Sequence, residues 1–275
     1  MLKDITLGQF FPGNSLLHKL DARFKIILML AFVILVFFAK NLVSFVYLLL
    51  LVALMAIISG ISMKVLLNGL KPILMISIFT AIINLFWTTG DVLLFEFGFI
   101  RIYSEGIWRA LYMMIRIICL VMGTSVLLTY TTSPMDLTDA LESLLSPLKK
   151  IRVPVHEFSM MMSLALRFVP TLIEETEKII NAHKARGADF ESGNLLSRAK
   201  ALIPILIPLF ISSFSRATDL AVAMECRCYV GGEGRTRMKV MKFTLRDIFV
   251  SLVFLALFAG IPLLSLIPLS FGALL

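Results

Sequence analysis

Residues 155–187 read VHEFSMMMSLALRFVPTLIEETEKIINAHKARG, with one interior proline, Pro170, and no glycine until the last position. The pattern predicts about 33 residues of near-continuous helix, roughly 50 Å long and longer than a bilayer core is thick. A second stretch, Leu195 to Tyr229, predicts a helix of about 35 residues. Pro204 and Pro208 should kink it rather than end it, because the apolar run continues on both sides. Each stretch closes on a small residue, an arginine and a small residue: Ala185-Arg186-Gly187 and Cys226-Arg227-Cys228. Two long levers with like tips are the arrangement expected of a device that transmits force between a membrane body and a docked partner.

Composition places those levers in a membrane protein. The 275 residues are 59% hydrophobic and only 16% charged, with a mean hydropathy of +0.94, too apolar for a soluble domain. The formal net charge of +8 reflects topology, since Lys and Arg cluster beside apolar spans and no nucleic-acid motif is present. Cys119, Cys226 and Cys228 make no disulfide framework, and the last two are expected in the reducing cytosol. Met1 to Asp21 is polar and has no cleavage pattern, so no removable leader is expected.

Five spans are predicted: 22–39, 42–59, 72–89, 106–131 and 245–268. Lys40-Asn41 separates the first two as a tight hairpin, and residues 90–105 alternate about Gly98 like a short β-hairpin. Phe11-Pro12-Gly13-Asn14 is a turn signal, Asp21 a helix N-cap, and His18 an interfacial side chain bonded to a loop carbonyl. Ser133-Pro134-Met135-Asp136 is a capping box that opens an amphipathic helix, with Leu137, Leu141, Leu144, Leu145 and Leu148 on one face and Asp136, Asp139 and Glu142 on the other. Basic residues follow at Lys149, Lys150 and Arg152 and again from Arg235 to Lys242. Placing the N-terminus in the cytosol and the C-terminus outside puts 22 of the 26 Lys and Arg in cytosolic segments. The fold class is therefore an all-α integral membrane protein: about five transmembrane helices, an amphipathic helix and two long, crossing cytosolic coupling helices. Its segments are 1–132 with four spans, 133–232 with three cytosolic helices, and 233–275 with a basic linker and the last span.

Within that frame some residues stand out. Arg116 falls near mid-membrane, where an ionised side chain marks a functional candidate, and its expected partner is Asn84, a backbone carbonyl or another membrane subunit. Ser213, Ala217 and Ala221 recur every fourth residue, a small-residue stripe where the levers are expected to cross against residues 159–170. Met113-Met114 and Met160-Met161-Met162 offer adaptable surface to an exchangeable partner. Several chemistries are excluded by spacing: there is no phosphate-binding G-x-x-x-x-G-K-[ST] loop, no zinc set among His18, His156 and His183, and no histidine to match Glu174-Glu175 as a protease would need. No cofactor, metal or catalytic residue is expected.

An arginine in a last helical turn with glycine beyond it is an ordinary helix end. Its repetition at two consecutive long helices, with small neighbours that leave the guanidinium open, points instead to docking, since the planar fork holds a carboxylate bidentately. Five stretches stand out, the last two of them containing the tips: Pro12 to Lys25 in a P-G-x-S-x-x-H-x-L-D-x-R-x-K pattern, Thr131-Thr132-Ser133-Pro134, Leu166 to Pro170, Lys184 to Gly187, and Ala223 to Tyr229. Over nearly the whole chain these resemble the transmembrane T component of energy-coupling factor transporters, related to the Q subunits of cobalt and nickel uptake systems. The resemblance implies that Ala185-Arg186-Gly187 and Cys226-Arg227-Cys228 insert into grooves on two ABC-type ATPases, which bind the ATP. It also implies that the membrane part holds a small substrate-binding S component, which selects the vitamin or metal ion. Cys226 and Cys228 depart from the Ala and Gly expected there, and Ala22 from the usual Pro. The alternative is a self-sufficient carrier or channel, for which internal repeats, paired broken helices or membrane acids would be expected; none is evident.

Overall fold

The computed structural model describes residues 10–89, 93–97, 100–151, 153–188, 194–231 and 244–266. The basic run 235–242, Arg152, Gly232, Pro268 and both chain ends lie outside the described residues. The elements run α1 Leu16–Lys19, α2 Ala22–Val36, α3 Leu42–Ser59, α4 Met63–Trp87, β1 Leu93–Phe97, β2 Ile100–Tyr103, α5 Ser104–Thr124, α6 Pro134–Leu145, α7 Val155–Ala185, α8 Leu195–Cys226 and α9 Leu245–Ser265. A π turn, Ser125–Thr129, extends α5, and a 3₁₀ turn, Ser146–Ile151, follows α6. The antiparallel β1–β2 ribbon pairs Leu93 with Tyr103 and Phe97 with Ile100, as the alternation about Gly98 anticipates. Two compact units result, and the chain passes from one to the other within α6: α1–α5 with α9 build the first, α7 and α8 the second.

Inside the first unit α9 runs parallel to α2. Arg246 Nη2 donates to the Lys19 carbonyl at 3.4 Å, the Phe258 ring lies 5.3 Å from Phe32, and Asn41 Nδ2 donates to the Ser265 carbonyl at 3.1 Å. The core follows these contacts through Leu28, Phe32, Val36, Phe45, Leu48 and Phe258, all buried. Gly123 on α5 brings that helix against the Phe32 ring, where a Cβ would clash.

The start of α2 is tied to the end of α5 by one buried amine. Lys25 Nζ donates to the Thr131 carbonyl at 2.8 Å, to Thr132 Oγ1 at 3.3 Å and to the His18 carbonyl at 3.4 Å, with Lys25 only 2% exposed. Phe11 N–H reaches the Tyr130 carbonyl at 3.1 Å on the same side. The chain therefore leaves the first unit beside residues 18–25 and re-enters it, through Arg246 on Lys19, beside the same residues. No net crossing lies between α5 and α9. This decides how α8 is read: five described helices are long and apolar enough to span a membrane, namely α3, α4, α5 with its π turn, α9, and Lys200–Cys226 of α8. A lone crossing by α8 would make α9 antiparallel to α2.

The helix at α2 corrects the expected span 22–39. It ends at Val36 after 15 residues, roughly 22 Å against a hydrocarbon core of about 30 Å. Phe37, Phe38 and Ala39 close it with N–H bonds back to Ile34, Leu35 and Val36. α3 matches its expectation at Leu42–Ser59, while α4 begins earlier, at Met63, and carries Pro72 inside it.

At α6 the expected cap forms: Ser133 Oγ accepts from the Asp136 N–H at 3.1 Å and donates to Asp136 Oδ2 at 2.7 Å, with Pro134 at the first helical position. The leucine face of this helix points outward from the protein. Leu141, Leu145 and Leu148 are exposed, while Ala140 and Glu142 are buried. Glu142 is held inward by a hydrogen-bonded contact, its Oε1 lying 3.1 Å from His156 Nδ1 at the start of α7.

Replacing Lys25 with Met keeps the aliphatic stem but orphans two carbonyls, at about 1–3 kcal/mol for each buried acceptor. Lys25→Met is expected to lower the thermal unfolding midpoint of the full chain in detergent, and Lys25→Arg to lower it less.

Candidate functional site

The two tips share one geometry. α7 continues through Pro170 and ends at Ala185, with Arg186 as its C-cap. Gly187 turns left-handed at φ 84°; its N–H bonds the Lys184 carbonyl at 3.0 Å and the Ala188 N–H bonds the His183 carbonyl at 3.0 Å. α8 ends at Cys226, with Arg227 as its C-cap. Cys228 turns left-handed at φ 53°, its N–H bonding the Glu225 carbonyl at 2.9 Å and the Tyr229 N–H the Met224 carbonyl at 3.1 Å. Both are Schellman closures, whose paired bonds satisfy the last carbonyls without any side chain. The arginines are thus not needed as caps. The side chains of Arg186 and Arg227 are exposed and form no hydrogen bond or ion pair among the described residues. Cys228 is the one positive-φ residue other than glycine among the described residues.

Behind the tips the helices are fastened by an ion pair that spacing did not reveal. Arg216 on α8 and Glu175 on α7 form it, both part-buried. Each stands 11 residues before the arginine of its own tip, an arm of roughly 16 Å in both cases. Beside the pair a cleft of about 630 Å³ is lined by Leu172 and Thr176 from α7 and by Leu209, Phe210 and Ser213 from α8. The contact therefore falls further along α7 than the expected 159–170. Of the expected crossing stripe Ser213 lines the cleft, while Ala217 and Ala221 are exposed. Leu209, Ser212, Arg216, Leu220 and Met224 form the more protected row. Pairing of Arg216 with Glu175 and the packing of Leu209 set the helix rotation, rather than close approach of small residues.

Of the remaining candidates, Met160 is half-buried, and Met161 and Met162 are 58% and 41% exposed on α7. Arg116 on α5 finds an internal partner: Nη2 donates to the Ala39 carbonyl at 2.7 Å, and the guanidinium lies 5.4 Å from the Phe45 ring. It caps the shortened α2 from a neighbouring helix, where unpaired carbonyls and the negative dipole end favour a cation. Asn84 instead donates to Thr80 of its own helix. No group of three or more His, Cys, Asp or Glu placed to hold a metal occurs among the described residues.

The family described as CbiQ, cobalt transport protein, matches residues 13–238. The energy-coupling factor transporter transmembrane protein EcfT of Ruminiclostridium cellulolyticum is 55% identical over 251 residues, 91% of this chain and 93% of the relative. That of Clostridium kluyveri is 49% identical over 258 residues, 94% and 95% of the two chains. The Bacillus subtilis protein is 43% identical over 258 residues, 93% and 97% of the two chains.

A left-handed non-glycine residue costs about 1–2 kcal/mol, and open space surrounds Gly187, so steric contact adds nothing there. Cys228→Gly is expected to raise, and Gly187→Ala to lower, the stability of its own helix end by about 1 kcal/mol. Hydrogen exchange at residues 224–229 and 183–188 measures each.

Proposed function

The chain belongs to the CbiQ cobalt transport protein family, and from that membership and the twin tips we propose how it works as the membrane scaffold of an energy-coupling factor transporter. Arg186 and Arg227, each with its small neighbours, dock into two cytosolic ABC-type ATPases that bind and hydrolyse ATP. The chain itself supplies no catalytic group. A small S component carries the vitamin or metal ion and rests against the apolar surface that includes Met161, Met162, Phe210 and Phe214, all exposed. The basic face of the first unit, with Lys19, Lys64 and Arg246, is cytosolic in this reading, and the positive-inside bias supports an N-terminus on the same side.

One observation carries this reading: two closed helix ends present unpaired arginines at equal distance from one ion-paired contact. Two like partners acting on two like arms would turn both helices about the Glu175–Arg216 pair. The opposite ends of α7 and α8 then move with them, and the S component feels the motion. A carrier working alone has no use for such arms.

If each guanidinium is desolvated against a carboxylate, its removal costs about 2–5 kcal/mol, or roughly 30-fold to a few thousand-fold in docking. Arg186→Ala or Arg227→Ala alone is expected to abolish uptake, and the double variant to lose the ATPases on purification. Lys should rescue poorly, having no planar fork. Wild-type assembly in the double variant would sink the docking role.

Breaking the ion pair separates docking from transmission. Arg216→Ala should leave ATPase co-purification unchanged while uptake falls, and exchanging the charges as Glu175→Arg with Arg216→Glu should restore part of the uptake. Loss of the ATPases with Arg216→Ala would assign the pair to tip placement instead.

A further inference from the structure

The turn between α3 and α4 leaves a row of donors open around a cavity that the transport reading does not use. α3 ends at Ser59, and Gly60 takes the left-handed conformation at φ 70° with its N–H on the Ile57 carbonyl. Among the described residues the N–H groups of Ile61, Ser62 and Lys64 have no acceptor. Ser62 is the N-cap of the 25-residue α4, yet its side chain caps nothing. Open N–H groups at a long helix's start favour an anion.

A second observation points the same way. Ser59 is 3% exposed, and its hydroxyl has no hydrogen-bond partner among the described residues. Buried hydroxyls are ordinarily satisfied. Ser59 lines a cavity of about 270 Å³, together with Gly60, Ile61, Ser62 and, from the opposite wall, Phe11, Gly13 and His18. That wall is held in place: His18 Nε2 donates to the Phe11 carbonyl at 2.9 Å, while Nδ1 lies 2.6 Å from Ser15 Oγ. Gly13 sits so close to the imidazole that a Cβ would come within 2.7 Å of it. Among the described residues no acidic one lines the cavity.

Its depth identifies the ligand class. Ser59 is the last residue of one membrane helix and Met63 the first of the next, so the cavity lies where spans end and lipid headgroups begin. Lys64 is exposed and stands in the chain between the lining residues Ser62 and Val65, and Met63 and Leu67 on the same turns expose apolar surface. We propose that this cavity binds a phosphate group at the membrane surface, carried by a phospholipid headgroup or present as the free anion. Its oxygens accept from the Ile61, Ser62 and Lys64 N–H groups and the Ser59 and Ser62 hydroxyls. The Lys64 ammonium supplies the counter-charge.

The full chain, purified in an uncharged sugar detergent and stripped of lipid, is titrated with phosphatidylglycerol, with sodium phosphate, and with a diacylglycerol of the same acyl chains. Native mass spectrometry counts bound lipid and thermal unfolding reports occupancy. Two variants separate binding from folding. Ser59→Ala removes a hydroxyl the fold does not use, and Ser62→Asp sets a favoured N-cap carboxylate where the phosphate belongs. Each is expected to fold as well as the wild type and to bind phosphatidylglycerol roughly tenfold more weakly, the loss of about one charge-assisted hydrogen bond. A thermal shift with phosphatidylglycerol but not with phosphate assigns the lipid, and an equal shift with phosphate assigns the free anion. Equal affinity in the wild type and both variants, no response in the wild type, or a response to diacylglycerol as large as to phosphatidylglycerol would overturn the site.

Discussion

The ammonium of Lys25 is the contact on which the arrangement of the chain depends. A buried cation is costly unless its donors are matched, and here three oxygens from two distant segments meet it: His18 before α2, and Thr131 with Thr132 after α5. Holding these segments together fixes where the chain leaves its membrane unit. The Arg246 contact with the Lys19 carbonyl fixes where it returns, and both points lie on one face. Hydropathy alone would count Lys200–Cys226 as a crossing. Connectivity constrains that count, because the parallel pairing of α2 and α9 admits no lone crossing between α5 and α9.

A second cation solves a problem created by length. Fifteen helical residues cannot span the apolar layer, so the last carbonyls of α2 end within it. Water is absent there, and an orphaned carbonyl is expensive. Arg116, from the middle of α5, supplies the missing donor to Ala39 while its plane packs near Phe45. Asn41, bonded to Ser265, closes the same turn from α9. Arg116 thus stabilises the first hairpin from a different helix, which accounts for a charge at a depth where charges are otherwise rare.

Much of this was legible from sequence because it is local. The bounds of α3, the Ser133 cap, the ribbon about Gly98 and the unbroken course of α7 through Pro170 all follow from residues within a few positions of one another. The tips were legible too, since a small-Arg-small ending repeats. What escaped was long-range. The early end of α2 depends on a donor 77 residues away, and the inward turn of Glu142 depends on His156 at the head of the next helix. The small-residue stripe misjudged the rotation of α8 because it weighed close approach and ignored charge. Glu175 and Arg216 carried a usable signal, their common offset of 11 residues from the two tip arginines, which only a comparison of the two levers reveals.

The two long helices differ in kind from the unit that anchors the chain. α7 buries only Val155 and Ser159, and among its described side chains α8 buries only Ile205. Leu206, Ile207, Phe210, Ile211 and Phe214 are each between 55% and 66% exposed. So large an apolar surface is not left to water, so the surroundings of these helices contribute more to their placement than their own packing does. Their mutual contact, by contrast, rests on a part-buried ion pair, which is geometrically specific but supplies little net stability. A specific but weak fastening on two stiff arms permits rotation without dissolving the contact. Such a joint suits a transmission element, because the covering partners rather than an internal core then decide which position the arms adopt.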